Sequence, residues 1–188
     1  MYQIFNDLTD LTFYSASYSP NAQSTIDSLF ELQHELYKKG ARNFLFIDVP
    51  PVDRSPACSL SPSIPLFVQD CNPSIDRALQ RKNPQTRFFN WNATLDKAIR
   101  SFVAEKSTTD DPVTAIYFSS HKVFSALLDN PTSHGFPQGD IKKSGGSIWM
   151  DHLHPTSAVH LIVANELDGF LSSISPFTPS IVPQTQSE

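Results

Sequence analysis

The stretch that decides the fold is Asn43-Phe44-Leu45-Phe46-Ile47-Asp48-Val49, a continuous apolar run with one acid near its end. Apolar residues without polar alternation are typical of a parallel strand that is covered on both faces. Pro50 and Pro51 follow directly and end the strand, because proline cannot donate to the hydrogen-bond ladder of a sheet. We therefore expect a buried parallel strand here.

The segments on either side alternate between helix and strand patterns. Apolar residues recur at helical spacing in several segments, and two other segments are short and rich in β-branched or aromatic residues. Helices are expected at residues 20–39, 92–104, 122–128 and 155–172, and strands at residues 2–5, 43–49 and 113–118. This alternation predicts an α/β fold with a parallel sheet, formed by residues 1–172. Residues 173–188, with their prolines and many Ser, Thr and Gln residues, are expected to form a disordered tail.

Few strands are visible for so many helices. A sheet commonly has four to six strands, so we expect the N-terminal strands of this fold to be missing from the chain. The 188 residues suffice for one domain with a sizeable core.

The composition excludes several classes of function. The net charge of -5, without a basic cluster, argues against a nucleic-acid partner. No apolar run reaches the length of a membrane-spanning helix, and the first residues lack the pattern of a signal peptide, which leaves the localisation unknown. The six glycines form neither a P-loop nor a dinucleotide-binding fingerprint.

Three features leave alternatives open. Cys58 and Cys71 form a disulfide in a secreted protein or remain two free thiols. Asn92 begins a glycosylation sequon whose use depends on the compartment. Asp48 and Asp53, near the end of the predicted strand, are expected to be solvated loop acids, although acids there could also line a cleft.

The candidate chemistry lies in Ile148-Trp149-Met150-Asp151-His152-Leu153-His154-Pro155-Thr156. A carboxylate that accepts a hydrogen bond from Nδ1–H fixes the tautomer of a histidine and lets its other nitrogen act as a base. Asp151 and His154 lie three residues apart, which lets their side chains meet in a tight turn. The alternatives are a helix-capping acid beside a surface histidine, or a metal site that includes His152. For metal binding, further ligands at suitable spacing are lacking, and we expect none.

The order of four sequence blocks resembles the GDSL/SGNH hydrolases, and within them the fungal acetylesterase and lipase-like branch. The blocks are Asn6-Asp7, residues 39–51, Asn130-Pro131 with Gly135-Phe136, and residues 149–156. The resemblance covers about residues 1–172. It implies a flavodoxin-like three-layer fold and the hydrolysis of carboxylic esters, with acetyl or short acyl groups that can be carried on carbohydrates. It implies no cofactor or metal, and a secreted parent protein.

Residue by residue, the resemblance implies roles for three side chains. Asp151 is the acid of a catalytic triad, His154 is its general base, and the amide of Asn6 donates to the oxyanion. Ile4 occupies a position that the family fills with glycine. The family's Gly-Asp-Ser nucleophile block and its second, glycine-bearing block have no counterpart in this chain.

No other segment supplies a nucleophile. Gly139-Asp140 is followed by Ile141 instead of serine, and Gly145-Gly146-Ser147 lacks the flanking glycine of a nucleophile elbow. We therefore expect the isolated chain to be inactive as an esterase. The alternatives are a degenerate paralogue that binds without hydrolysing and a small α/β binding module, which would place Asp151 and His154 far from Asn6.

Overall fold

The structure is a computed structural model, and it describes residues 2–4, 22–56 and 84–174. The described strands β1 (Tyr2–Ile4), β2 (Asn43–Ile47) and β3 (Thr114–Phe118) form a parallel sheet in the order β1-β2-β3. The described α-helices are α1 (Ala22–Lys38), α2 (Pro84–Ser107), α3 (Ser120–Asp129) and α4 (Ser157–Ser173). Single 3₁₀ turns lie at Val52–Arg54, Pro131–His134 and Gln138–Asp140. The predicted α/β class with a parallel sheet is confirmed.

The strand β2 lies between β1 and β3, and its apolar residues are buried. Phe44 and Phe46 point to the same face of the sheet because side chains alternate along a strand. On that face, Phe46 stacks on Phe30 of α1 at 5.5 Å between ring centroids, and Phe44 meets Phe102 of α2 edge-on at 5.1 Å. Leu45 points to the other face and is buried too. The prediction that both faces of this strand are covered is confirmed.

A second cluster of buried residues lies outside this sheet core. It joins α3, the loop that follows it, and the first turn of α4, through Phe124, Leu127, Leu128, Phe136, Ile148, Trp149 and Val159. Farther along α4, Phe170 reaches Phe118 at the end of β3, with 5.6 Å between the ring centroids. The stretch that contains Asp151 and His154 is therefore anchored by Ile148 and Trp149, which precede it and belong to this second cluster.

The start of α2 differs from the prediction. The helix begins at Pro84 and not at Asn92. Proline is well suited to the first turn of a helix, where its missing N–H is not needed. Asn92 lies inside the helix, and its amide bonds both backbone groups of Val49: it accepts from the Val49 N–H at 2.9 Å and donates to the Val49 carbonyl at 3.0 Å. The sequon asparagine thus attaches α2 to the segment that follows β2.

Other predictions fall on residues that are not described. Asn6, Cys58 and Cys71 lie outside the described residues, as do residues 175–188 of the predicted tail. Among the described helices, none is long and apolar enough to cross a membrane.

Candidate functional site

The acid at the end of β2 is buried, so the expectation that Asp48 is a solvated loop acid is wrong. Its exposed fraction is 5%. One carboxylate oxygen accepts from Tyr117 Oη at 3.1 Å and from Ser119 Oγ at 2.5 Å. The other accepts from Ser120 Oγ at 3.0 Å and from the His121 N–H at 2.8 Å. Four donors on one carboxylate indicate a structural role at the start of α3.

The neighbours of Asp48 support this interpretation. Burial and then the nearby Asp48 carboxylate raise the pKa of the Tyr117 phenol, which keeps it protonated and able to donate. Ser119 caps α3, and its oxygen accepts from the Lys122 N–H at 3.2 Å. Because its donors enclose Asp48, the carboxylate has no open side for a substrate.

Asp151 and His154 meet as the sequence predicts. The His154 Nδ1 atom lies 2.7 Å from Asp151 Oδ2. The second oxygen, Oδ1, accepts from the backbone N–H groups of Leu153 and His154, each at 2.7 Å. The carboxylate therefore organises the turn that carries it and also holds the imidazole ring in one orientation.

The electrostatics of Asp151 favour its charged form. Partial burial alone would raise the pKa of this carboxyl, but the two backbone N–H donors and the His154 ring outweigh it and lower the pKa to about 2. Asp151 is thus ionised at neutral pH. An ionised partner at Nδ1 keeps the proton there and leaves Nε2 as the basic nitrogen.

The imidazole ring is open to solvent. The side chain of His154 is 65% exposed and that of Asp151 is 47% exposed. No hydrogen bond from the described residues engages Nε2 of His154, which can therefore receive a proton from a group that approaches from outside. An oriented and accessible imidazole is the arrangement that general-base catalysis needs.

Two short segments, residues 147–150 and residues 154–156, flank this turn and pair to form a stem that holds it in place. Met150 N donates to the His154 carbonyl at 2.8 Å, and Thr156 N donates to the Ile148 carbonyl at 2.9 Å. Between these two bonds, Trp149 forms an antiparallel bridge with Pro155. The Trp149 indole N–H donates to the Ile141 carbonyl at 2.8 Å, which anchors the stem to the preceding loop.

A groove of about 560 Å³ lies away from the Asp151–His154 pair. Its lining comes from the end of β3, the first turn of α3 and the second half of α4: Tyr117, Phe118, Ser119, Lys122, Val123, Asn165, Glu166, Gly169 and Phe170. A helix rises about 1.5 Å per residue, so Asn165 lies roughly 12 Å along α4 from Ser157. The groove is therefore not the place where a substrate would meet His154.

The described part of the chain contains no group of three or more His, Cys, Asp or Glu side chains that could hold a metal ion. Asn6 lies outside the described residues, so its distance from His154 remains a prediction. Reasoning from sequence missed Asp140 and Ser147, whose side chains bond each other. Both sit in glycine-bearing motifs that the sequence offers only as rejected nucleophile candidates.

Comparisons with known proteins add one relationship. No family model matches the chain. An acetylesterase from Thermothelomyces thermophilus is 27% identical to it over 161 residues. The match covers 85% of this chain and 47% of the acetylesterase. The chain therefore spans about half the length of the curated relative it matches. The similarity is to an ester hydrolase.

Proposed function

We propose that this chain carries the acid–base part of a carboxylic-ester hydrolase of the GDSL/SGNH type. The observation that carries the proposal is the 2.7 Å contact between Asp151 and an imidazole ring that is open to solvent. The similarity to an acetylesterase supports the same reaction class independently of this geometry. The sequence blocks described above supply the more specific family.

In the proposed reaction, His154 Nε2 takes the proton of a serine hydroxyl while the serine oxygen attacks the ester carbonyl carbon. His154 then gives that proton to the alcohol oxygen as the carbon–oxygen bond breaks. Water removes the acyl group from the serine by the same two steps. Asn6 donates to the oxyanion of each tetrahedral intermediate. No serine of this chain matches the family's nucleophile block, so the chain alone is not expected to hydrolyse an ester.

Asp151 has two tasks in this scheme. It holds the Nδ1 proton of His154, and it stabilises the imidazolium that forms when the ring accepts a second proton. Its pKa of about 2 keeps it charged throughout. The proposed substrates are small esters with acetyl or short acyl groups, which can be carried on carbohydrates, and the reaction needs no cofactor.

The first experiment measures the isolated chain. We expect it to hydrolyse p-nitrophenyl acetate no faster than its His154→Ala variant, because the nucleophile is lacking. Mass spectrometry after brief exposure to the ester should find no acylated serine. A serine that becomes acylated faster in the unaltered chain than in His154→Ala would contradict the expected inactivity, and would identify a nucleophile.

The second experiment tests the acid–base role directly. Residues 147–156 of this chain are grafted into the Thermothelomyces acetylesterase at the position that they match. We expect the graft to retain turnover and to lose it by on the order of 10⁴- to 10⁶-fold with His154→Ala in the grafted loop, as for members of other triads.

The matched control for that substitution is His152→Ala in the same graft. His152 is an exposed histidine two residues before His154, and its removal should leave turnover unchanged. A graft that folds but hydrolyses the ester equally well with and without His154 would refute the proposed function.

A further inference from the structure

The buried carboxylate of Asp140 holds the far end of the stem that carries Asp151 and His154. Asp140 ends the 3₁₀ turn Gln138–Asp140 and is 8% exposed. Its Oδ2 atom accepts from both the N–H and the hydroxyl of Ser147, each at 2.7 Å. Lys143 Nζ lies 3.5 Å from the other oxygen, at the solvent side. A buried acid with two short bonds to one residue fixes the position of that residue.

Ser147 transmits this constraint across the stem. Its carbonyl accepts from the Thr156 hydroxyl at 2.7 Å. Thr156 is the N-cap residue of α4, but its side chain makes no capping bond to the helix. Its hydroxyl donates to the Ser147 carbonyl instead. The stem segment 154–156 is therefore bonded to Ser147, and through it to Asp140.

Gly146 allows the chain to approach this carboxylate. A Cβ atom built at residue 146 would lie 3.0 Å from both Cγ and Oδ2 of Asp140, and 3.2 Å from the Lys143 carbonyl oxygen. Contacts this short require a neighbour to move, and one of these neighbours is backbone. Gly139, immediately before Asp140, has no atom within 4 Å of the corresponding position. The two glycines thus differ in the space that a methyl group would find.

We propose that Asp140 is a positioning residue for His154, acting through Ser147 and Thr156 to keep the imidazole ring against Asp151. For catalysis this inference rests on the proposed function, but the geometry that it describes is measurable without any ester. Asp140 does not touch the reacting atoms. Its effect is confined to the pairing of the two stem segments, and so to the orientation of the His154 ring.

The test uses the full chain and reads the tautomer of His154 by long-range ¹H–¹⁵N NMR at a pH where the ring is neutral. The Asp151 contact selects the Nδ1–H form, and His154→Ala assigns the signal. We expect Asp140→Ala and Gly146→Ala to shift the dominant form to Nε2–H. Gly139→Ala should leave the Nδ1–H form unchanged.

A second pair of variants separates positioning from general stability. Thr156→Ser keeps the hydroxyl and should retain the Nδ1–H form. Thr156→Val loses the hydroxyl and should shift the dominant form to Nε2–H. All spectra are recorded well below the melting temperature of each variant, where a loss of stability alone leaves the ring tautomer as it is. If folded Asp140→Ala retains the Nδ1–H form, the inference is wrong, whatever the other variants show.

The two proposals fail in different ways. If the tautomer responds as expected but the loop graft hydrolyses its ester without His154, the positioning role stands and the esterase function falls. If the unaltered chain shows the Nε2–H form, the Asp151–His154 contact is absent in solution and the positioning role is refuted. If turnover of the graft requires His154 but the His154 tautomer is the same in Asp140→Ala as in the unaltered chain, only the positioning role is refuted.

Discussion

Asp48 and Asp151 are both aspartates that accept two or more hydrogen bonds at the entrance of a helix or turn, yet their surroundings differ. Asp48 is enclosed by three hydroxyl groups and one backbone N–H. Asp151 uses one oxygen for its own turn and the other for a titratable ring that faces solvent. The difference teaches that an acid becomes a candidate for chemistry when a partner of it remains accessible, and not because the acid itself is buried.

The largest expected effect contrasts the two acids by stability. Asp48→Ala removes the acceptor of four donors, of which one is on a buried residue and three are on partly buried residues. A donor left unsatisfied costs about 1–3 kcal/mol, and we expect a total loss of about 3–5 kcal/mol in the free energy of unfolding. Asp151→Ala exposes two N–H groups that water can reach, so its loss should stay below about 1 kcal/mol. Urea denaturation of both variants measures the contrast. Equal losses would show that the two acids have the same structural weight.

A smaller effect is expected at Asn92, which serves the segment next to Asp48. Asn92→Ala removes both bonds to the Val49 backbone, and we expect a loss of about 1–3 kcal/mol, partly offset by the better helix propensity of alanine. Asn165→Ala, on the exposed side of α4, is the control and should change stability by less than about 0.5 kcal/mol. If the two alanine variants unfold at the same urea concentration, the Asn92 contact does not stabilise the fold.

The smallest effect is the pH dependence that Asp151 contributes. Its pKa is lowered in the folded state, so its contribution to stability is fully present above pH 3.8 and is lost as the pH falls through about 2. The difference in unfolding free energy between the unaltered chain and Asp151→Asn should therefore shrink as the pH falls below 4. Because the side chain is half exposed, solvent screening keeps this difference small. A difference that grows on acidification would contradict the lowered pKa.

The sequence predicts well those features whose cause is local. The apolar run at β2 indicates its own burial, and helical spacing locates α1, α3 and α4 to within a few residues. The Asp151–His154 contact is predictable because both partners lie within one turn. The contact between these two side chains could therefore be predicted without coordinates, as could the α/β class.

Long-range contacts explain what could not be predicted. The donors to Asp48 lie on β3 and α3, far along the chain, and no local pattern indicates that they enclose an acid. Asparagine is favoured at helix starts, but Asn92 lies in the interior of α2, where its amide bonds to the backbone of Val49. Asp140 and Ser147 belong to two glycine motifs that are separately uninformative. Only their mutual contact reveals why a side chain at residue 146 would crowd Asp140.

The contact between Asn92 and Val49 has a consequence for biosynthesis. A glycan on the Asn92 amide nitrogen would replace one of its two hydrogens, and the sugar would have to fit where the amide now lies against the Val49 backbone. In a secretory compartment, modification would therefore compete with docking of the helix, because docking hides the acceptor nitrogen from the transferase and a sugar attached first crowds the contact. Molecules that mature with an unmodified triplet would dock this helix more readily than those that carry the sugar.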